Sequence, residues 1–140
     1  MTHMVQDHAV FRAESDSIGT KQIPKDAYYG VQSLRAMENF SITGGKLHVQ
    51  MINALALLKK ACAITNANAG VLDAHIADAI VKACDLLVAG EYHDQFIVDP
   101  IQGGAGTSIN MNANEVIANI AIELLGVRRV TMPSSIPTTM

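Results

Sequence analysis

The chain has 140 residues, 49% of them hydrophobic, with a formal net charge of −3, no tryptophan and two cysteines. This is one domain's worth of chain with enough apolar side chain for a core; its acidic balance, without a Lys/Arg run, argues against a nucleic-acid partner. No apolar run approaches the ~20 residues that span a bilayer, and Met1–Val10 lacks the basic-then-apolar pattern of a signal peptide, so a cytoplasmic protein without a membrane role is expected.

In chain order, residues 1–10 show no periodicity and are expected to be a mobile tail. Residues 11–25 are polar with Gly19 and Pro24 as breakers, which predicts short extended segments around a turn. Asp26 is a candidate cap for a helix near Ala27, interrupted by Gly30. Val31, Leu34 and Met37/Glu38 predict a helix over 31–40, and Gly44-Gly45 breaks the chain. The clearest long helix is predicted over 50–68: Met51, Ile52, Leu55, Leu58, Cys62 and Ile64/Thr65 form a wide apolar face, Lys59-Lys60 mark the wet side, and the alanines suit close helix approach. Gly70 stops it. Asp73 is the expected N-cap of a helix to about Ala89, with Ile76, Ile80, Ala83/Cys84 and Leu87 on one stripe and Gly90 at its end. Residues 94–102 read as an extended linker. A last helix is predicted over 112–125, with Val116/Ile117, Ile120 and Leu124 inward and Gly126 closing it. The sum is a mainly α domain over 11–129 with minor strand content over 11–25.

Cys62 and Cys84 lie in different helical patterns without a C-x-x-C and read as buried reduced thiols. His3, His8, His48, His75 and His93 show no i, i+4 pair, so neither a metal site nor a cofactor is expected.

The densest chemical signal is Gln102 to Asn119, QGGAGTSINMNANEVIAN. Gly103, Gly104 and Gly106 permit turns that a Cβ resists. Thr107 and Ser108 offer hydroxyls, and Asn110, Asn112 and Asn114 are candidate caps or structural amides. A helix N-terminus with free N–H groups suits a carboxylate. The letters fit neither a P-loop, because no Lys follows, nor a dinucleotide fingerprint, because Ile109 takes its last glycine position. Glu115 is expected to pair locally. Arg35 is a candidate anion ligand, with a structural ion pair the stronger reading.

These same residues resemble the aspartase/fumarase superfamily of lyases, whose members carry a Gly-Thr followed by Asn-Met-Asn-x-Asn-Glu-Val. Gly19–Phe40, GTKQIPKDAYYGVQSLRAMENF, and His93–Asp99, HDQFIVD, resemble the same enzymes. Within the superfamily, Gly-Gly-Ala-Gly-Thr-Ser at 103–108 is similar to the aspartate ammonia-lyase family, whereas fumarases tend to read Thr-Gly-Ser-Gly-Thr-Gln-Ser. The resemblance implies an N-terminal helical domain of a homotetrameric enzyme that converts L-aspartate to fumarate and ammonia. It implies that Thr107 contacts a substrate carboxylate, with Gly106 and Ser108 contributing beside it. The family's catalytic serine loop and its later carboxylate-binding motifs have no counterpart in this sequence. The isolated chain is therefore expected to be inactive, and no catalytic residue is assigned. Two alternatives stand beside this reading: a fumarase-type lyase fragment, and a non-catalytic helical module that binds a partner through apolar helices.

Residues 130–140, VTMPSSIPTTM, are uncharged and depart from the family, which here reads Gly-Asp-Tyr and then His-Pro-Asn-Asp-His. Codons CAT CCC AAC GAC CAT read one base later give Ile136-Pro137-Thr138-Thr139-Met140, and GGT GAC TAT GCC shifts to Val130-Thr131-Met132-Pro133. The expectation is an out-of-frame tail, which sequencing of the adjacent DNA tests. Met132-Pro133-Ser134-Ser135 shares letters with the family's catalytic loop in the wrong order and carries no functional weight.

Overall fold

The structure, a computed structural model, describes residues 10–126. The expected tail before Val10 and the segment read as out of frame lie outside the described residues. The elements are strands β1 (Phe11–Ser15) and β2 (Thr20–Pro24) and helices α1 (Val31–Asn39), α2 (Val49–Asn68), α3 (Ala74–Val88) and α4 (Thr107–Leu124), with a single 3-10 turn at His93–Gln95. The expected mainly helical domain with a short extended front is what the chain forms.

The two strands pair antiparallel in the register Phe11↔Pro24 to Ser15↔Thr20. Asp16 builds the turn by accepting from the N–H groups of Ile18 and Gly19. A lone hairpin is marginal in water, and Arg12 ties this one to the segment leading into α1. Its guanidinium donates to the carbonyls of Pro24, Lys25, Ala27 and Tyr29. That spread of planar donors holds residues 24–29 in an irregular turn, so the helix expected near Ala27 does not form. Helix α1 begins only after Gly30.

Helices α2, α3 and α4 enclose the main core. Asp73 caps α3 as expected, accepting from His75 and Ile76 N–H, and Ile80, Ala83, Cys84 and Leu87 are fully buried on its inner stripe. Helix α4 is buried on every side from Asn112 to Ile122, the condition of a helix at the centre of a fold; it contacts α1, α2 and α3.

Helix α2 corrects its expectation. Its buried residues are Ile52, Ala56, Lys59 and Ala63, so the small alanines face the neighbours and Lys59 is inside. Met51 and Leu58, expected inward, are exposed, as is Leu124 at the end of α4. The close approach that alanine allows draws the Ala56/Ala63 side inward, and the long side chains of the opposite side are left facing out. Cys84 is buried but Cys62 only half so, both as free thiols. Burial pushes the Cys84 thiol up to about 12, with the Asp85 charge adding to the shift and Lys60 and Lys59 opposing it. No helix of the described residues is long and apolar enough to cross a membrane.

Candidate functional site

Helix α4 starts at Thr107, five residues before its expected first turn. Asn110, Asn112 and Asn114 therefore lie within the helix and do not cap it. The start is set by the loop before it. Gly104 (φ 77°) and Gly106 (φ 84°) both adopt the left-handed backbone, and a Cβ on Gly103 would meet the Phe40 ring at 3.0 Å. Gly106 is the N-cap and has no side chain with which to cap. Gln102 supplies that function from the far side of the loop: its Oε1 accepts from Ile109 N–H at 2.9 Å, and its Nε2 donates to the Asp99 carbonyl at 2.8 Å. The glycine turn is thus pinned at both ends by one amide side chain.

Asp99 extends the anchorage. Its buried carboxylate accepts from the N–H groups of Ile42, Thr43, Gly44 and Ile101 and from the Thr43 hydroxyl. Burial opposes its charge, but the N–H groups of Ile101, Thr43 and Gly44 and the Thr43 hydroxyl outweigh it and hold the carboxyl down at about 2. The 42–44 loop, Asp99, Gln102 and the first turn of α4 therefore form one hydrogen-bonded line.

Thr107 is exposed at the head of α4, Ser108 is half-buried beside it, and Gly106 turns the chain into them. The structure places the three residues together. Asn110, one turn on and so on the same side of the helix as Thr107, accepts from Lys59 Nζ at 2.6 Å. Burial lowers the Lys59 pKa, with the neighbouring Cys62 and Cys84 opposing the shift. The arrangement can receive a small anion: a helix N-terminus, two hydroxyls and a cation bonded within the first turn. The nearby titratable groups, Lys59 and Asp99, are both held in hydrogen bonds. A separate cleft of about 260 Å³ is lined by Met37, Phe40, Ser41, Gly44, Gly45, Lys46, Ile97 and Asp99; Thr107 is not part of its wall. Among the described residues no group of three or more His, Cys, Asp or Glu side chains could hold a metal ion.

Asn112 and Glu115 of the motif are structural. Asn112 accepts from Ile97 N–H and donates to the Gln95 carbonyl. Glu115 does not pair locally: its carboxylate reaches the start of α1 and accepts from the N–H groups of Gly30, Gln32 and Ser33 and from the Ser33 hydroxyl. A buried acceptor of four hydrogen bonds seals the α1–α4 contact. Arg35 makes a forked ion pair with Asp16 at 2.8 and 3.0 Å, in keeping with the structural reading. The steadying roles of Gln102, Asp99 and Lys59 do not follow from the sequence pattern, in which Lys59 reads as a wet-side residue. Lys59 was legible in principle, since it falls in phase with Ile52, Ala56 and Ala63.

Residues 19–136 match the family model described as "Lyase". The chain is 60% identical over 115 residues to an aspartate ammonia-lyase of Bacillus sp, a match covering 82% of this chain and 25% of the relative. It is 54% identical over 116 residues to a class II fumarate hydratase of Halobacterium salinarum, covering 83% of this chain and 25% of that protein. The crystal structure of a fumarate lyase:delta crystallin from Brucella melitensis superposes with a TM-score of 0.83 at 52% identity, over 85% of this chain and 28% of that one. The chain spans about a quarter of the length of these relatives.

Proposed function

Because the chain belongs to the lyase family, we propose that it is the N-terminal part of an enzyme that deaminates L-aspartate to fumarate and ammonia, and that Thr107, Gly106 and Ser108 form its share of the site for a substrate carboxylate. The observation that carries this reading is the head of α4, where a left-handed Gly106 presents an exposed Thr107 at a helix N-terminus. Removing the weakly acidic proton beside a carboxylate builds negative charge on that carboxylate, and fixed donors aimed at it lower the barrier. The Thr107 and Ser108 hydroxyls and N–H groups are such donors, the Ile109 N–H being taken by Gln102. The general base belongs to the rest of the enzyme. A homo-oligomeric assembly and a cytoplasmic location go with the same reading.

Ala105 and Ser108 favour the aspartate enzyme. The similarity to a fumarate hydratase keeps hydration of fumarate as a second reading, with the same carboxylate contacts and a hydroxyl leaving group. Titration of the 15N-labelled chain with succinate, an unreactive dicarboxylate, tests the shared step. The expected result is saturable shifts of the Thr107 and Ser108 amides that Thr107→Val abolishes. Shifts scattered over the surface, or unchanged in Thr107→Val, would overturn the site. The chain alone is expected to form no fumarate from aspartate; turnover would show that the reacting groups are all present.

A further inference from the structure

The four asparagines of α4 do not use their amides alike. Asn112 and Asn119 donate through Nδ2 to the carbonyls of Gln95 and Tyr28, and Asn114 donates to the Met111 sulfur. Asn110 is the exception. Its Oδ1 accepts from Lys59 Nζ at 2.6 Å, and among the described residues its Nδ2 meets no acceptor. Asn110 is half-buried, and that nitrogen is not sealed inside the fold. The orientation of the amide follows from the chemistry of its partner: an ammonium only donates, so the oxygen must face Lys59 and the N–H groups must face away from it. Lys59 is 2% exposed, so its stem is packed and the bond it makes is held in place. A charge-assisted bond to the oxygen also polarises the amide and strengthens its N–H groups as donors.

We propose that Asn110 is a further binding residue for the substrate carboxylate, donating through Nδ2 to one oxygen while the Thr107 hydroxyl donates to the other. Three residues apart on one helix, the two side chains are neighbours with Cβ atoms about 5–6 Å apart, a spacing from which two donors can converge on a single carboxylate. A buried lysine is costly to keep unless it is hydrogen-bonded; here its bond has a second consequence, because it fixes which end of the Asn110 amide is offered to a ligand. The inference rests on the carboxylate site proposed above and adds to it a donor whose aim is set from α2.

The side-chain amide protons of Asn110, assigned by their loss in Asn110→Asp, report on this during titration of the full 140-residue chain with succinate. One Nδ2 proton is expected to move downfield and to saturate with the same dissociation constant as the Thr107 amide. Asn110→Asp keeps an oxygen for Lys59 but removes the N–H groups. It is expected to weaken succinate by at least about tenfold, through the lost bond to a charged group and the new negative charge together, with the Thr107 shifts recovered at higher succinate. The proton signal separates direct contact from that charge effect, and it decides the question by itself if circular dichroism shows the variant unfolded. Asn110 protons that stay still while Thr107 saturates would overturn the inference and leave the Thr107 site standing. A folded Asn110→Asp that binds succinate as tightly as the wild type would do the same. Absence of saturable shifts at Thr107 in the wild type would remove the site itself, and this inference with it.

Discussion

At the scale of single residues, the polar side chains that matter most are buried ones working at long range. Glu115 is the clearest. Burial raises its pKa above the usual 4.5, while the Ser33 hydroxyl and the N–H groups of Ser33, Gly30 and Gln32 pull the other way without prevailing. A raised carboxyl pKa means that, above the unfolded value, the folded chain binds more protons than the unfolded one. Its contribution to stability is therefore complete below about pH 4.5 and declines as pH rises through the folded value. Glu115→Gln removes the titration and turns an amide N–H₂ against the donors of α1, at a cost of about 1–3 kcal/mol. Urea unfolding of both proteins from pH 4 upward, roughly the range in which an ordinary glutamate charges, checks this. The advantage of the wild type is expected to be greatest at the acid end and to shrink towards neutrality. A constant difference would show that Glu115 does not titrate in this range. None of this was legible from the sequence: the spacing around Glu115 suggested a local partner, and its real partners lie more than eighty residues earlier.

At the scale of elements, what the sequence shows well is where helices stop. Gly70, Gly90 and Gly126 each follow a helix with φ between 73° and 97°, as the left-handed C-terminal residue requires. Starts were harder. Asp73 was readable because its cap is local, whereas the start of α4 depends on Gln102 folding back across three glycines, and propensity placed it too late. Lys59 shows the same limit: charge suggested a wet position, and the phase of the neighbouring alanines decides otherwise. The candidate site was legible because Thr107, Gly106 and Ser108 are contiguous, while the residues that steady them arrive from α2 and two loops. Gly106 is the test of this local architecture. Nothing lies within 4 Å of an added Cβ, so Gly106→Ala isolates the backbone term. At φ 84° alanine is expected to cost about 1–2 kcal/mol, measured by thermal or urea unfolding. Succinate-induced shifts at Thr107 are expected to weaken in parallel. An unchanged stability would mean that the loop readily takes another path into α4.

At the scale of the whole molecule, the described residues hold three apolar clusters: the pair Ala118 and Ile122 on α4, and two of unequal size that join separate elements. The larger joins α2, α3 and α4 with Phe96 and Val98; the smaller, Ile23, Ala27 and Val31, lies under the hairpin and the start of α1. Much of what ties them is polar. Glu115 holds α1, the Gln95 side chain accepts from Tyr28 N–H, Asn119 donates to the Tyr28 carbonyl at 2.7 Å, and the Tyr28 ring meets Tyr92 edge-on at 4.6 Å. Hydrogen bonds contribute about 1 kcal/mol each net, and a three-residue apolar cluster adds little beside the main core. The hairpin with α1 is therefore expected to open as a unit below the free energy of global unfolding. Native-state hydrogen exchange checks this directly: amides of β1, β2 and α1 should share one lower opening free energy, and those of α3 and the centre of α4 a higher one. Glu115→Gln should lower the first group by more than the second, because a removed tie between units weakens the smaller unit first. Equal protection throughout, falling together in the variant, would show a single cooperative unit. The distinction bears on function, because Phe40, at the end of α1, packs against Gly103. Opening of the small unit would release that side of the glycine turn, so the order of the proposed carboxylate site is expected to follow the stability of the front of the chain as well as that of the helix that carries it.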